Sequence, residues 1–273
     1  MKHPEPNKIW KVPVYLPYLK PALTDEMVKE AEARIGYKLP KEFIELLKTQ
    51  NGGYIRYKLN NTPHELIAGI GDSFPSFTNY EWILEYQGAV SYELEGLFAF
   101  DGDGHWNLCL DYRKNKTEPE VTYIDTESDH EKKIADNFKE YLNLLTIETD
   151  GYYVVDTSLS IEETIKQISD LAAVSFYGPN TDAHGYPIYS AKLGDRWIEV
   201  SPNKAPAGFI RPNEKNYEEL KHWMDKPALR YPELLETDVL LFIPSTTEGE
   251  QFLKTLHDSR LKITDMKTRL DQF

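Results

Sequence analysis

The segment from Leu59 to Tyr112 contains no lysine or arginine, although the whole chain has 31 basic residues. Its nine carboxylates are Glu65, Asp72, Glu81, Glu85, Glu93, Glu95, Asp101, Asp103 and Asp111. Its aromatic residues are Phe74, Phe77, Tyr80, Trp82, Tyr86, Tyr92, Phe98, Phe100, Trp106 and Tyr112. Aromatic side chains bury enough apolar area to fold such a segment, but its acids have no cation within it.

Three interpretations of this acidic segment are open. Lysines and arginines from elsewhere in the chain can pair with the acids. Unpaired acids would form a surface of one charge, which attracts basic partners and repels nucleic acid. Ordinary solvated acids on a soluble protein fit the same pattern.

The composition is that of a globular protein. The chain has 273 residues, of which 40% are hydrophobic, enough for one large domain or two ordinary ones. The net charge is −14. Residues 1–150 contribute −9 (17 basic, 26 acidic) and residues 151–273 contribute −5 (14 basic, 19 acidic). Because both halves are acidic, direct binding to DNA, RNA or an anionic membrane surface is disfavoured.

The single cysteine and the N-terminal residues bear on localisation. Cys109 lies between two leucines, so we expect a buried small hydrophobe and no intrachain disulfide. The first 16 residues are polar, contain three prolines and lack the apolar core of a signal peptide. No window is long and apolar enough for a membrane span. The sequence therefore predicts a cytoplasmic protein.

The first half predicts two helices at its start. Thr24 is a suitable N-cap for a helix over residues 25–35, and Gly36 can end that helix. Pro40 fits the first position of a second helix, which Asn51-Gly52-Gly53 would stop.

Strands and a further helix are predicted to follow. The strand patterns cover residues 54–57, 66–70, 97–100, 106–112 and 121–124. Residues 80–86 fit a short helix, and residues 101–105 fit a hairpin turn. Ser128 and Glu131 have the spacing of a capping box, which predicts a helix that continues to Leu145. This half is therefore expected to be α+β, with an antiparallel meander.

The second half also predicts an α+β region. The best boundary is at residues 149–151, which gives domains 1–150 and 151–273. Ser160 and Glu163 form a second possible capping box. Strand patterns cover residues 174–177, 186–189, 197–200 and 240–243. Further helices are expected after Asn213 and Thr247.

Three segments of the first half together resemble a known family. The first is Ile35-Gly36-Tyr37-Lys38-Leu39-Pro40 together with the helix that leads to Asn51-Gly52-Gly53. The second runs from Leu97 to Trp106 and ends in Leu110-Asp111-Tyr112. The third is Val121-Thr122-Tyr123-Ile124 together with the helix around Ile134, Phe138 and Tyr141-Leu142. Their order and spacing resemble the SUKH superfamily, the Smi/Knr-type proteins, over about residues 22–147. Residues after about 150 lie outside the resemblance.

The resemblance implies a fold and a function. SUKH proteins have an α+β fold with a curved antiparallel sheet and flanking helices. Many bacterial members resemble immunity proteins, which bind and block the toxic domain of a polymorphic or contact-dependent toxin, often a nuclease or deaminase. Fungal relatives are linked to cell-wall synthesis and signalling. No catalytic residue unites the family, so the resemblance implies a non-enzymatic binding protein without a cofactor or metal.

A basic toxin domain is the partner that this resemblance and the acidic segment together predict. An acidic surface can mimic the substrate of a nuclease and accelerate encounter, while aromatic anchors supply the binding energy. Tyr80, Trp82, Tyr86 and Trp106 are the candidate anchors, with ordinary core packing as the alternative. The predicted partner-binding residues are Glu81, Trp82, Glu85, Tyr86, Glu93, Glu95, Asp101, Asp103 and Trp106.

Metal and acid–base sites find little support in the sequence. Asp101, Asp103 and His105 alternate like the start of a calcium loop, but Trp106 and Tyr112 occupy the sixth and twelfth positions, where an EF-hand needs Gly and Glu. Glu93 and Glu95 have a spacing that fits acid–base chemistry, or else a solvated strand face. The seven histidines lack zinc-ligand spacing. A Gly-x-Ser-x-Gly elbow and a phosphate-binding loop are both missing from the sequence.

Two further functions stay open. One is an intracellular scaffold or regulator that joins other proteins. The other is an enzyme whose site lies in the second half, where Trp197, Arg211, His222 and Trp223 are the residues most suited to a pocket. An arginine in acidic sequence can bind an anionic ligand or pair with a neighbouring carboxylate.

Overall fold

The chain divides into two units, Met1–Glu148 and Thr149–Phe273, in a computed structural model that describes residues 5–79, 81–259 and 261–272. The α-helices are α1 (Asp25–Ile35), α2 (Lys41–Thr49), α3 (Phe138–Leu144), α4 (Ile161–Ala172), α5 (Tyr217–Leu220), α6 (Thr247–His257) and α7 (Met266–Leu270). Short 3-10 helices cover Pro6–Lys8, Leu16–Tyr18, Glu81–Tyr86 and Lys221–Asp225.

Short antiparallel sheets combine with helices in both units. The N-terminal strands are β1 (Val14–Tyr15), β2 (Gly53–Tyr54), β3 (Tyr57–Lys58), β4 (Leu66–Ile67), β5 (Leu97–Gly102), β6 (Trp106–Asp111), β7 (Glu120–Asp125), β8 (His130–Ala135) and β9 (Thr146–Ile147). The C-terminal strands are β10 (Tyr152–Asp156), β11 (Tyr177–Thr181), β12 (Pro187–Leu193), β13 (Arg196–Pro202), β14 (Lys204–Pro206), β15 (Gly208–Phe209), β16 (Pro227–Leu229), β17 (Val239–Phe242) and β18 (Lys262–Asp265). The predicted α+β class is confirmed.

Helix α1 has the limits and caps that its sequence predicts. The hydroxyl of Thr24 accepts a hydrogen bond of 3.2 Å from the backbone N–H of Met27, which satisfies one of the unpaired donors of the first turn. Gly36 ends the helix with φ = 78°, in the left-handed region that favours glycine. The face between the caps buries Val28, Ala31 and Ile35.

The Asn51-Gly52-Gly53 sequence has a second role beyond stopping α2. The Asn51 amide oxygen accepts from Ile70 N (2.8 Å), and its amide nitrogen donates to Pro21 O (2.8 Å) and Ile70 O (2.9 Å). The backbones come very close here, because a Cβ on Gly69 would lie 2.3 Å from the Asn51 carbonyl oxygen. Gly52, at φ = 93°, would place a Cβ 2.6 Å from Gly69 N. The motif therefore joins the end of α2 to the chain that follows β4.

Strands β5, β6, β7 and β8 form a four-stranded antiparallel sheet in that order. Its two faces are filled by different parts of the chain. On one face Phe98, Phe100, Leu108 and Leu110 join the main core with residues of α1, α2 and α3. On the other face Leu97, Cys109 and Ile124 form a second cluster with residues that precede β5. The predicted burial of Cys109 is confirmed.

The helix predicted from Ser128 is wrong over its first half, where β8 forms. Asp125 Oδ1 accepts from the backbone N–H groups of Glu127 and Ser128, both at 3.0 Å, so the Asp side chain fixes a turn and not a helix start. Asp129 follows with φ = 49°. The helix begins only at α3, where Asn137 is the N-cap. Residues 130–133 are exposed, so this edge strand lacks the alternating pattern that would reveal it.

The predicted strand over residues 54–57 is two strands in different sheets. β2 pairs with β4, whereas β3 pairs with β9 from the end of the unit. Because the strands that pair with β2 and β3 are distant in sequence, no local sequence pattern predicts this division.

The C-terminal unit is built on a six-stranded sheet with the order β11-β12-β13-β17-β10-β18. Ile168 of α4 and Phe252 and Leu256 of α6 pack on one face of this sheet. The predicted capping box of Ser160 and Glu163 is confirmed. Three details differ from prediction. Thr246 caps α6 in place of Thr247, and only four residues after Asn213 form an α-helix. The strand predicted over residues 174–177 begins only at Tyr177.

We predict that Gly69→Ala destabilises the N-terminal unit by ~1–3 kcal/mol, because the new Cβ would collide with backbone atoms of Asn51. The free energy of unfolding from urea titration measures the effect. Gly71→Ala is the matched control, since its Cβ would meet only the flexible Lys20 side chain at 3.3 Å. Equal stability of the two variants would contradict the close-approach role of Gly69.

A candidate protein-docking surface

Residues 81–96 cover the second face of the four-stranded sheet. Ile83 and Leu94 are fully buried there and form one cluster with Leu97, Cys109 and Ile124. Burial of two large aliphatic side chains contributes roughly 3–6 kcal/mol to holding the segment in place. The segment is therefore packed on the sheet as firmly as a core element.

The turn within this segment is closed by one side chain. Gln87 accepts a hydrogen bond of 2.8 Å from Leu94 N through Oε1 and donates to Tyr92 O at 3.5 Å through Nε2. Both ends of the amide are thus used to hold residues 87–94 in a loop.

Polar contacts also fix the segment to the sheet and its hairpins. They are the bonds from Ser91 N to Asp129 Oδ1 (2.6 Å), from the Tyr92 hydroxyl to Asp125 O (3.0 Å) and from Arg113 Nη1 to Glu93 O (2.8 Å). With the buried side chains, these contacts make residues 81–96 a fixed base for the groups they expose. We call this segment the acidic platform.

Besides Glu81, which pairs with Arg34, the acidic platform exposes three carboxylates, those of Glu85, Glu93 and Glu95. None of the three forms an ion pair within the part of the chain that the structure describes. Glu93 and Glu95 flank the buried Leu94, so both side chains extend away from the sheet. Their charges are therefore available to a partner.

Exposed apolar groups accompany these carboxylates. Tyr86 is 37% exposed and Leu84 is 38% exposed, on either side of Glu85. The sequence analysis identified Tyr86 and missed Leu84. The sequence of residues 82–86 could have indicated that Leu84 is exposed, because burial of Ile83 directs the side chain of the next residue toward solvent.

The other predicted aromatic anchors are used for internal packing. Trp106 is half-buried against the main core and stacks on Tyr123 with ring centroids 6.2 Å apart. Trp82 is half-buried against the cluster under the platform. Tyr80 lies outside the described residues. Among the described candidate anchors, Tyr86 is thus the one whose side chain is exposed.

Asp101 is buried, so it cannot contribute to a docking surface, contrary to the prediction. Its Oδ2 accepts from Glu65 N (3.0 Å) and Leu66 N (3.3 Å) and lies 2.7 Å from His64 Nδ1. The Tyr141 hydroxyl lies 2.6 Å from His64 Nε2. A carboxylate only accepts, so Nδ1 donates to Asp101, and in a neutral imidazole Nε2 then accepts from the Tyr141 hydroxyl. Burial raises the pKa of Tyr141 well above its usual value.

Asp103 and Glu81 are exposed, but both have internal partners. Asp103 Oδ1 accepts from His105 N (2.9 Å) and Trp106 N (3.1 Å) in the β5–β6 turn. Burial alone would raise the pKa of Asp103, but these backbone bonds outweigh it and hold the pKa below its usual value. Glu81 forms an ion pair of 3.0 Å with Arg34 of α1.

Asp111 is neutralised by the first cation after the acidic segment. Arg113 makes a two-pronged contact, with Nε 2.9 Å from Oδ1 and Nη2 2.7 Å from Oδ2, and also binds Glu131 at 2.8 Å. Thr122 donates to Asp111 Oδ2 at 3.0 Å. Burial would raise the pKa of Asp111, but the hydrogen bonds from Arg113 and Thr122 hold it below its usual value.

Other kinds of site find no support in the described residues. Among them, no group of three or more His, Cys, Asp or Glu side chains is placed to hold a metal ion. Burial raises the pKa of the Cys109 thiol, which opposes nucleophilic reactivity. The longest helix, α4, has 12 residues, and no described helix has the length and hydrophobicity that crossing a membrane requires.

The four residues singled out in the C-terminal half are exposed or partly exposed, and His222 and Trp223 are neighbours with ring centroids 6.0 Å apart. Arg211 pairs with Glu214 at 3.6 Å, as the neighbouring-carboxylate alternative predicted. Trp197 is 47% exposed, with the Lys192 ammonium 5.6 Å from its ring centroid. His222 Nδ1 lies 2.8 Å from the carbonyl oxygen of Glu219 in α5, and Trp223 has the Lys226 ammonium 4.3 Å from its ring centroid.

We predict that Asp111 makes the stability of the N-terminal unit depend on acid pH. Because its folded pKa is depressed, its stabilising effect is present above the unfolded pKa and is lost as pH falls through the folded pKa. Asp111→Asn should cost about 3 kcal/mol at neutral pH, since it leaves Arg113 half-buried beside a neutral group. The difference from the parent should shrink as the pH falls below about 4.

Urea unfolding at a series of pH values measures this difference. Asp72→Asn is the matched control, because Asp72 is exposed and forms no ion pair within the described residues. A deficit of Asp111→Asn that stays constant down to acid pH would contradict the assignment.

The match to a family covers the unit that carries the acidic platform. The model of the SMI1 / KNR4 family (SUKH-1) matches residues 22–144, which run from just before α1 to the last residue of α3. Comparison with curated proteins gives no match, and neither does comparison with solved structures. Residues 145–273 lie outside the family match. The match to the SMI1 / KNR4 family (SUKH-1) therefore supports the resemblance of this part of the chain to the SUKH superfamily.

Proposed function

We propose that this chain is an immunity protein that binds and neutralises a basic toxin domain, of the nuclease or deaminase class, through the acidic platform. The observation that carries the proposal is the set of exposed carboxylates at Glu85, Glu93 and Glu95 on the same packed segment as the exposed side chains of Leu84 and Tyr86. In this role the protein works in the cytoplasm of the bacterium that makes the toxin.

Charge on a fixed base favours fast association. Three like charges attract a basic surface over about one Debye length, about 8–10 Å at physiological salt. Because the platform is packed and hydrogen-bonded, little ordering entropy is lost when a partner binds. Tyr86 and Leu84 supply the apolar contact that slows dissociation.

The polar groups inside the unit support binding and not catalysis. His64, the histidine with an acid and a tyrosine beside it, is fully buried, and both its ring nitrogens have partners. A substrate could reach it only by opening the core. The arrangement is that of a structural network.

A scaffold or regulator that joins several proteins is the alternative of a different class. It uses the same exposed groups but requires several unrelated partners. An immunity protein requires one, encoded beside it. Purification of bound proteins from the native host separates the two, because one dominant basic partner supports the proposal and several unrelated partners support the alternative.

We predict that the double reversal Glu93→Lys/Glu95→Lys slows association with the toxin domain encoded next to this chain. The rate constant should fall about tenfold or more at low salt, and its dependence on salt should weaken, because both are set by long-range attraction. Stopped-flow fluorescence at several salt concentrations measures both. Growth of cells that express the toxin domain reports neutralisation.

The matched control is Glu30→Lys/Glu118→Lys. It makes the same change in net charge at two exposed glutamates of the same unit, one on α1 and one between β6 and β7. If both variants slow association equally, net charge and not the platform sets the rate. If neither changes the rate or the salt slope, the electrostatic role of the platform is wrong.

A further inference from the structure

The most exposed large hydrophobic side chain among the described residues is that of Phe74, which is 72% exposed. It lies near the tip of a short loop, residues 71–75, which we call the Phe74 loop. Single exposed apolar residues are common on protein surfaces. The Phe74 loop differs from an ordinary loop tip because the chain is held in place on both sides of the ring.

The base of the Phe74 loop is closed by hydrogen bonds. Phe77, which is fully buried in the main core, donates through its backbone N–H to Gly69 O at 2.9 Å. The Ser76 hydroxyl donates to Gly71 O. The side chain of Asn51 holds the residue between the two glycines in two further bonds. Both ends of the loop are therefore attached to the core of the N-terminal unit.

The two residues next to Phe74 are held as well. Pro75 is buried, and the Ser73 hydroxyl accepts a hydrogen bond of 2.9 Å from Lys20 Nζ. Lys20 is itself buried, and its stem lies against Gly71, where an added Cβ would be 3.3 Å from Lys20 Cδ. The Phe74 ring is thus presented to solvent on a fixed support.

A ring on a fixed support is suited to be an anchor for a partner. Little ordering entropy is lost from the loop when a partner covers it. A phenyl ring is among the larger apolar surfaces that one side chain can bury, and aromatic side chains are enriched in the cores of protein interfaces. Phe74 has no such burial within its own unit, so the contact is available to another molecule.

The charges beside the ring indicate which kind of molecule fits. Asp72 is exposed and forms no ion pair within the described residues, whereas Lys20 is buried beneath the loop. Nucleic acids and anionic lipid surfaces can also take up an exposed ring, but their phosphates would be repelled. A second copy of this chain, with its net charge of −14, is disfavoured for the same reason. A basic protein is the partner that remains.

We propose that Phe74 is an apolar anchor that enters a pocket of the basic toxin domain, and that a lysine or arginine at the rim of this pocket pairs with Asp72, an inference that rests on the proposed function for the identity of the partner. The acidic platform then sets the rate of association, and Phe74 sets the lifetime of the complex. Long-range attraction acts on the encounter, whereas a buried contact must be broken before the partner leaves.

Phe74→Ala tests the proposal in the full chain, with the toxin domain encoded next to this chain as the probe. Dissociation should accelerate about 30-fold or more, which corresponds to about 2 kcal/mol. The association rate constant should stay within about twofold of that of the parent. Stopped-flow fluorescence measures both rate constants. Because the ring is exposed, the urea midpoint of unfolding should not change.

Tyr177→Ala is the matched control. It removes another exposed ring, 65% exposed, from the C-terminal unit, and it should leave both rate constants unchanged. Phe74→Leu retains an apolar side chain and should keep much of the lifetime of the complex. Asp72→Asn should accelerate dissociation by a smaller factor, about two- to fivefold. An unchanged lifetime of this last variant would contradict the cation at the rim of the pocket.

The outcomes separate the anchor from the proposed function. If Phe74→Ala dissociates like the parent while Glu93→Lys/Glu95→Lys associates slowly, the anchor is wrong and the proposed function stands. If Phe74→Ala dissociates faster from a basic partner that has no toxic activity, the anchor stands and the proposed function is wrong. A parent that binds no basic protein would overturn both. Self-association of the parent that Phe74→Ala abolishes in sedimentation would mean that the ring contacts a second copy and not a toxin domain.

Discussion

The buried carboxylate of Asp101 is the contact on which the N-terminal unit depends most. It binds two backbone N–H groups at the start of β4 and, through His64, the hydroxyl of Tyr141 in α3. One side chain at the end of β5 thus joins a second sheet and the closing helix. Since a partly satisfied buried network costs more than an apolar core, the three side chains specify one arrangement of these elements. That arrangement in turn fixes the sheet whose other face supports the acidic platform.

The cation-free segment is therefore not a uniform acidic surface, because its aspartates and glutamates do different things. Asp101, Asp103 and Asp111 all accept backbone N–H bonds within the chain. The short Asp side chain is suited to such local bonds. The carboxylates exposed on the platform all belong to glutamates, whose longer side chains extend past the backbone. The distinction is not complete, because Asp72 is exposed and has no ion pair among the described residues, whereas Glu81 pairs with Arg34.

What the sequence predicted well was local in origin. The caps of α1 and α4 and the hairpin of β5 and β6 are specified by residues within a few positions of each other, and all three are present. What it missed depends on distant partners. β8 is an exposed edge strand whose sequence has the spacing of a helix capping box. Arg113, which neutralises Asp111, lies just outside the segment from Leu59 to Tyr112 that contains no lysine or arginine. Arg211 and Arg230 are indistinguishable as sequence, yet only the second is buried, because its guanidinium lies against the Tyr186 ring and its Nη1 donates to Ser201 of β13.

The two units use carboxylates under opposite physical conditions, and this determines what each can do. Glu93 and Glu95 are solvated, so salt screens their charge and they act over distance on the rate of encounter. Glu199 of the C-terminal unit is half-buried, and burial raises the pKa of its carboxyl. Its protonation therefore depends on the groups packed around it, whereas under the proposed function the exposed glutamates of the platform would act on a partner at a distance.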